Sequence, residues 1–218
     1  MRYLYRAIIE KNGYMKYISH LDMLRLFRNA FKIAGFRLVY SAGFNPHPKL
    51  GFALPLTLGY SSSCEILEFE IREYADPGMI VEKLNAVFME GLIVKSCETA
   101  EEGKSYASRV MAASYEIYIP GLCCNEHMLE SFLKQEEITA EKVQKKTGKN
   151  KAIDIKNMIR SLSFKNIENN TVLCAELDAG STSSLSPELL VSAFVEFAGL
   201  KIERWEINIS RTGMYFNK

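Results

Sequence analysis

Residues 40–58 read YSAGFNPHPKLGFALPLTL and place several backbone constraints close together. Pro46 and Pro48 each fix one φ angle and restrict the preceding residue to extended geometry, and two glycines permit conformations that other residues avoid. The stretch predicts a stiff loop presenting three polar side chains, Asn45, His47 and Lys49. The apolar residues 52–58 then predict a strand.

The pattern on both sides of this loop predicts the element order β-α-β-β-α-β. Residues 2–10 alternate as a strand, and Ser19 with Asp22 forms a capping-box-like helix start. The helix is expected to end at Gly35. The remaining predicted elements are a turn at 59–63, strands at 66–72 and 92–96, and a helix at 76–88 that begins with Asp-Pro. This order is that of the ferredoxin-like α+β fold, with both helices on one face of an antiparallel sheet.

The rest of the chain predicts a second, less regular copy of the same order. Its elements are strands at 113–119, 171–177 and 201–209 and helices at 126–134 and 187–198. No sequence repeat accompanies it. We therefore predict an α+β protein of tandem ferredoxin-like units: a domain at 1–98 with a Pro/Gly-rich loop at 41–51, a linker at 99–110 and a second α+β domain at 111–218.

Composition is that of a soluble globular protein. Of 218 residues, 48% are hydrophobic and 24% charged, and no apolar run approaches the ~20 residues that span a bilayer. The first residues become charged too soon for a signal peptide. Five cysteines, without a Cys-x-x-Cys pair, favour free buried thiols over disulfides or a metal site. We expect a cytoplasmic protein that does not contact membranes.

The net charge of +1 conceals a strong segregation. Residues 1–60 carry nine basic and two acidic side chains, whereas residues 61–103 carry ten acidic and three basic ones. A second basic run lies within residues 140–165. Such segregation can create a field that attracts an anion, or it can cancel if the two segments pair as neighbouring strands. The sequence leaves both outcomes open.

A candidate binding surface follows from the basic side chains near the loop. On the first helix, Arg25, Arg28 and Lys32 follow one another on one face, and His20 lies at its first turn. With Asn45, His47 and Lys49 they form the predicted anionic-ligand site, beside the aromatic residues Tyr40, Phe44 and Phe52. The alternatives are a solvated helix face and an ordinary exposed turn.

Catalytic motifs are missing from the sequence. No nucleophile elbow, His-Glu-x-x-His or phosphate-loop pattern occurs. A metal site formed by His20, His47 and a carboxylate is conceivable, but no ligand spacing supports it. We expect no cofactor, no metal and no turnover by the isolated chain.

Three segments, residues 17–22, 40–58 and 211–215, together resemble the bacterial radical-SAM-linked proteins, a domain of unknown function. That family is fused to, or encoded beside, B12-binding-type radical SAM proteins. The chain lacks the three spaced cysteines that hold a radical SAM cluster. The resemblance therefore implies an accessory half and a radical SAM protein as partner. The family's reported gene neighbours, a ribonuclease and large-subunit ribosomal proteins, imply an RNA context.

These observations predict a non-catalytic accessory or recognition module that binds RNA (tRNA or rRNA) or presents it for modification. One alternative is a protein-docking module for a radical SAM enzyme or its protein substrate. The other is a metal-dependent or RNA-processing enzyme. RNA binding would weaken steeply with salt, whereas docking through an apolar interface would not.

Overall fold

The computed structural model describes residues 2–101, 103, 105–143 and 150–217. The chain divides into two compact units, one extending to Val110 and the other from Met111 to Asn217. Helices combine with mostly antiparallel strands in both, so the predicted α+β class is confirmed. No helix among the described residues is long and apolar enough to cross a membrane.

The first unit has the predicted order of elements. They are β1 (Tyr3–Lys11), α1 (His20–Ile33), β2 (Leu50–Phe52), β3 (Ser61–Ile71), α2 (Pro77–Asn85), β4 (Leu92–Thr99) and the short α3 (Tyr106–Arg109). The strand order is β4-β1-β3-β2, with every neighbouring pair antiparallel. This is the ferredoxin-like arrangement, because each helix connects two strands that are not neighbours in the sheet. Helix α1 connects β1 to β2, and α2 connects β3 to β4.

Local signals start and end α1 where the sequence predicts. The Ser19 hydroxyl accepts a hydrogen bond from the Asp22 backbone N–H (3.2 Å), which satisfies one free donor of the first turn. Gly35 follows the last turn with φ +83°, a conformation that favours glycine. At α2, the Asp76 carboxylate caps the Met79 N–H (3.1 Å) in the same way, with Pro77 in the first turn.

Aromatic side chains form the core between the helices and one face of the sheet. Phe27 and Phe31 of α1 are fully buried, and the Phe31 ring lies 4.6 Å from that of Phe69 on β3. Phe69 in turn stacks on Tyr5 of β1 at 5.5 Å. Ile80 and Leu84 place α2 in the same core, so both helices pack against one face of the sheet as expected.

The strand predicted at residues 52–58 is misplaced. Strand β2 comprises only Leu50–Phe52, which includes the end of the predicted loop, and residues 53–58 continue as irregular backbone. Pro55 has no N–H to donate to a neighbouring strand, so the run cannot continue the ladder. Ala53 and Leu56 are nevertheless buried, and the Ala53 N–H makes a last hydrogen bond to the Ile66 carbonyl of β3 (2.9 Å). Beyond Ala53 the apolar pattern reflects burial and not a strand. The predicted turn at 59–63 is also shorter, because β3 begins at Ser61.

The second unit repeats the strand order of the first. Its elements are β5 (Val110–Ile119), α4 (Glu126–Lys134), β6 (Thr139–Val143), β7 (Asn150–Asp154), β8 (Ile159–Ile167), β9 (Asn170–Asp178), α5 (Pro187–Phe197) and β10 (Asn208–Phe216). The strand order is β10-β5-β9-β8, and β6 with β7 forms a separate hairpin. The hairpin lies between α4 and β8, at the connection where the first unit has residues 34–49 with the Pro/Gly-rich loop.

Two details of the second unit differ from the sequence expectation. The final strand was predicted at 201–209, but residues Arg204–Glu206 form a 3-10 turn and β10 begins at Asn208. A capping box between Glu203 and Glu206 stabilises that turn. The backbone of the turn interrupts the alternation of apolar and polar residues that predicted a strand. In the basic run, residues 144–149 lie outside the described residues, as do residues 102 and 104 of the predicted linker.

One buried hydroxyl connects β1 to the start of α2 and can be tested. Tyr5 donates a hydrogen bond to the Ala75 carbonyl (2.9 Å) and accepts one from the Ala75 N–H (3.0 Å). We expect Tyr5→Phe to lower the free energy of unfolding by about 1–3 kcal/mol, because both buried backbone groups lose their partner. Urea denaturation measures this. Tyr14→Phe, at a residue that is 90% exposed, is the control; equal unfolding midpoints for the two variants would contradict the assignment.

Candidate functional site

Much of the segregated charge cancels across the strands of the first unit. Arg6 of β1 lies directly opposite Glu68 of β3 and Glu98 of β4, with nitrogen–oxygen distances of 3.6 and 3.1 Å. The Lys49 Nζ donates to both carboxylate oxygens of Glu70 (2.9 and 3.1 Å). The sequence left open whether the segregated charges create a field that attracts an anion or neutralise each other. Within the sheet, they neutralise each other.

An open cavity of about 490 Å³ is lined by a group of basic side chains that lie outside the strands. Helix α1 supplies Arg28 and Lys32, the segment after it supplies Arg37, and Arg72 follows β3. The Arg72 backbone N–H donates to the Arg37 carbonyl (2.9 Å), which holds these two arginines on adjacent extended segments. The other lining residues are Asn29, Phe36, Leu38 and Tyr40. We call these eight residues the basic cavity.

The electrostatics of the basic cavity are one-sided. No carboxylate is among the described residues that line it. Arg37 forms an ion pair with Glu73, whereas Arg28, Lys32 and Arg72 have no acidic partner in the part of the chain that the structure describes. Phe36 and Leu38 are buried and give the cavity a low-dielectric wall. Several like charges beside such a wall focus a positive field, which attracts phosphate or carboxylate groups.

The Pro/Gly-rich loop is closed at its base and presents its tip to solvent. The Ser41 N–H donates to the His47 carbonyl (2.8 Å), and the His47 N–H donates to the Ser41 hydroxyl (3.0 Å). Tyr40 pairs with Pro48 just outside these bonds. Between them, the side chains of Phe44 and Asn45 are exposed. Because Tyr40 also lines the basic cavity, the loop begins at the cavity wall.

The structure brings together only part of the predicted site. Arg28 and Lys32 share the basic cavity, and Asn45 and His47 are exposed on the adjoining loop. Two other predicted residues are engaged elsewhere: Arg25 forms an ion pair with Asp22 (2.8 Å), and Lys49 is held by Glu70. Phe52 is buried in the core and offers no stacking surface.

Two cavity residues, Arg37 and Arg72, were not among the predicted site residues. Arg37 belongs to the same basic segment as α1, so its charge was a usable signal. Arg72 lies in the acidic segment, and only the pairing of the chain after β3 with the chain after α1 places it beside Arg37. A position fixed by contact between distant segments leaves no mark in the local sequence.

His20 lies in a different place from the loop. It lines a small cavity with Lys11 and Glu65, which are 2% and 3% exposed, and with the apolar side chains Met23, Phe52 and Leu56. The Lys11 ammonium donates to the Ile18 carbonyl (2.8 Å). Burial lowers the pKa of His20 and of Lys11, and the Glu65 carboxylate opposes both shifts. The cavity has room for about one water molecule, so these groups form a buried polar cluster.

Metal and thiol chemistry find little support in the described geometry. Among residues 2–101, 103, 105–143 and 150–217, no three His, Cys, Asp or Glu side chains converge as a metal site would require. All five cysteines are free, as expected, but only Cys124 is buried; Cys123 is exposed and the other three are half-buried. Burial raises the pKa of the Cys97 thiol to about 12 and also raises that of Cys124 and Cys174. These three thiols are therefore poor nucleophiles.

Comparison with known proteins identifies a family and distant structural neighbours. The family model described as "Uncharacterized protein conserved in bacteria (DUF2344)" matches residues 4–187. None of the curated proteins matches the sequence.

Among solved structures, a chain from a crystal structure of a Cbf5-Nop10-Gar1 complex is similar with a TM-score of 0.48 and 9% identity. The match covers 95% of this chain and 48% of that one, so this chain spans about half the length of that neighbour. An unknown protein from Galdieria sulphuraria matches with a TM-score of 0.28 and 12% identity, over 97% and 98% of the two chains. Neither likeness bears on what this chain binds.

The buried cluster at His20 predicts a pH dependence of stability. Because the folded-state pKa lies below the ordinary value of 6.5, the unfolded chain takes up this proton first as pH falls. The contribution to stability is complete above pH 6.5 and decreases as pH falls from there toward the folded-state pKa. We expect His20→Gln to flatten the fall in melting temperature with pH in this range. The control is His127→Gln, at an exposed residue; identical slopes for the wild type and His20→Gln would show that His20 titrates as it does in water.

Proposed function

The chain belongs to the family of uncharacterized proteins conserved in bacteria (DUF2344), and we propose that it is a non-catalytic module that binds RNA through the basic cavity. The observation that carries the proposal is the convergence of Arg28, Lys32, Arg37 and Arg72 on one open cavity without a lining carboxylate. The rest of the site in this proposal is the adjoining loop with its exposed Asn45 and His47.

The chemistry of these side chains suits a phosphodiester backbone. Guanidinium groups bind phosphate oxygens with two parallel hydrogen bonds, and three of the four cations are arginines. Because Arg28, Lys32 and Arg72 have no acidic partner among the described residues, no carboxylate there competes with a ligand for them. Backbone contacts position a nucleic acid, whereas amide and imidazole groups, such as those of Asn45 and His47, make directional hydrogen bonds to bases.

The role in the cell that we propose is that of an accessory to a radical SAM protein. The basis is the resemblance of residues 17–22, 40–58 and 211–215 to the radical-SAM-linked proteins, together with the absence of a cluster motif from the sequence. In this proposal the chain binds a tRNA or rRNA and presents it, and the partner performs the modification.

Fluorescence anisotropy with bacterial tRNA and rRNA fragments tests RNA binding. We expect the logarithm of the binding constant to fall linearly with the logarithm of salt concentration, because bound phosphates release counterions. Each of Arg28→Ala, Lys32→Ala and Arg72→Ala is expected to weaken binding of all RNAs and to reduce that slope by about one unit.

Lys134→Ala is the matched control, since Lys134 is an exposed helical lysine paired with Glu130 in the second unit. It is expected to leave both the affinity and the slope unchanged. Absence of RNA binding by the wild type at low salt would refute the proposal, as would equal losses in the control and the cavity variants.

Protein docking is the second candidate, and a separate surface favours it. Tyr14, Tyr17 and Leu21 lie close in sequence, in the 3-10 turn Gly13–Tyr17 and the first turn of α1, and they are 90%, 62% and 64% exposed. Exposed aromatic residues are enriched at protein interfaces.

Copurification with the radical SAM protein at high salt tests docking. An apolar interface is expected to retain the partner in high salt, and Tyr17→Asp with Leu21→Asp is expected to release it, because charge is unfavourable in an interface core. Retention by the double variant would exclude this surface as the docking site. RNA binding would be measured in parallel, since the docking variants leave the basic cavity intact.

A further inference from the structure

We infer that the basic cavity holds one unpaired nucleotide, so that the RNA recognised by this chain is single-stranded where it contacts the cavity. The inference rests on the proposed function and specifies its ligand. Three observations carry it: the size of the cavity, the position of an aromatic ring in its lining, and a second exposed ring on the closed loop.

The cavity is concave and large enough for a nucleotide. Its volume of about 490 Å³ lies within the range of roughly 300–1,000 Å³ typical of small-molecule pockets. In a duplex each base is stacked inside the helix, so only the backbone could reach the cations at the rim. A nucleotide can enter the cavity as a whole only if its base is unpaired, because extraction from a duplex requires loss of stacking and pairing.

The cations and the aromatic ring belong to different segments that meet at the cavity. Arg28 and Lys32 project from α1, whereas Tyr40 follows the extended segment that contains Arg37. Tyr40 is 44% exposed, so part of its side chain is available to a ligand while the rest is supported by the fold. A phosphate bound by the cations would leave the attached base free to stack on Tyr40, as unpaired bases stack on aromatic side chains in single-strand binders.

The loop offers a second stacking surface next to the first. Phe44 is fully exposed, and the Ser41–His47 hydrogen bonds hold the loop that carries it. The backbone pairing of Tyr40 with Pro48 fixes the loop to the cavity wall. A neighbouring base of the same strand could stack on Phe44 with little loss of loop entropy, because the loop is already closed.

Anisotropy with one labelled RNA 12-mer of mixed sequence, alone and annealed to its complement, tests the inference on the full chain. We expect the single strand to bind at least about fivefold more tightly than the duplex, since stacking of one base contributes that much or more. Tyr40→Ala is expected to lower the single-strand affinity at least about fivefold and to leave the duplex affinity unchanged. Tyr40→Phe, which keeps the ring, is expected to bind as the wild type does.

Tyr215→Ala is the matched control, because Tyr215 is also 44% exposed and lies on β10 of the second unit. Its single-strand affinity is expected to equal that of the wild type. Circular dichroism and urea midpoints identify any variant that fails to fold. If Tyr40→Ala fails to fold, Phe44→Ala tests stacking independently, because Phe44 is exposed and its removal does not disturb the core.

The outcomes separate this inference from the proposed function. Equal affinities for single strand and duplex, or an unchanged single-strand affinity in both Tyr40→Ala and Phe44→Ala, would overturn the inference. If Arg28→Ala still weakened both RNAs, RNA binding would stand and only the single-strand preference would fall. Failure of the wild type to bind either RNA would overturn both.

Discussion

Ion pairing between β3 and its neighbouring segments is the interaction on which the rest of the first unit depends. Glu68 faces Arg6 across the ladder, and Glu70 holds Lys49 immediately before β2. These side chains are only 16–32% exposed. Removing one partner would leave a poorly solvated charge, which is unfavourable. The pairs therefore favour the observed register of β1 and hold Lys49, at the end of the loop that precedes β2, against β3.

Charge that the sheet does not neutralise defines the candidate site. The carboxylates of β3 are engaged by Arg6 and Lys49. Arg28, Lys32 and Arg72 have no acidic partner among the described residues and lie beside a buried apolar wall. The whole-chain net charge of +1 therefore describes no particular surface. The positive charge at this cavity is a property of the fold, because the arginines come from segments far apart in sequence.

Periodicity and capping signals predicted most of the fold, and contacts between distant segments account for what they missed. Helices α1 and α2 begin at caps that the sequence displays, Ser19 and Asp76. By contrast, Ala53 and Leu56 are buried although no strand continues past Phe52, because burial and strand pairing produce the same local pattern. The candidate site shows the same difference between local and distant information. Arg28 and Lys32 share a helix face and were predicted together, whereas Arg72 joins them only through tertiary structure.

The strand order common to both units has a consequence for where the chain accepts additional residues. The orders β4-β1-β3-β2 and β10-β5-β9-β8 correspond element for element, although the sequence shows no repeat. The hairpin of β6 and β7 is additional, and it lies between α4 and β8, outside the four strands of that order. An insertion at this connection leaves the strand order unchanged, because connecting segments tolerate insertions better than the elements they join.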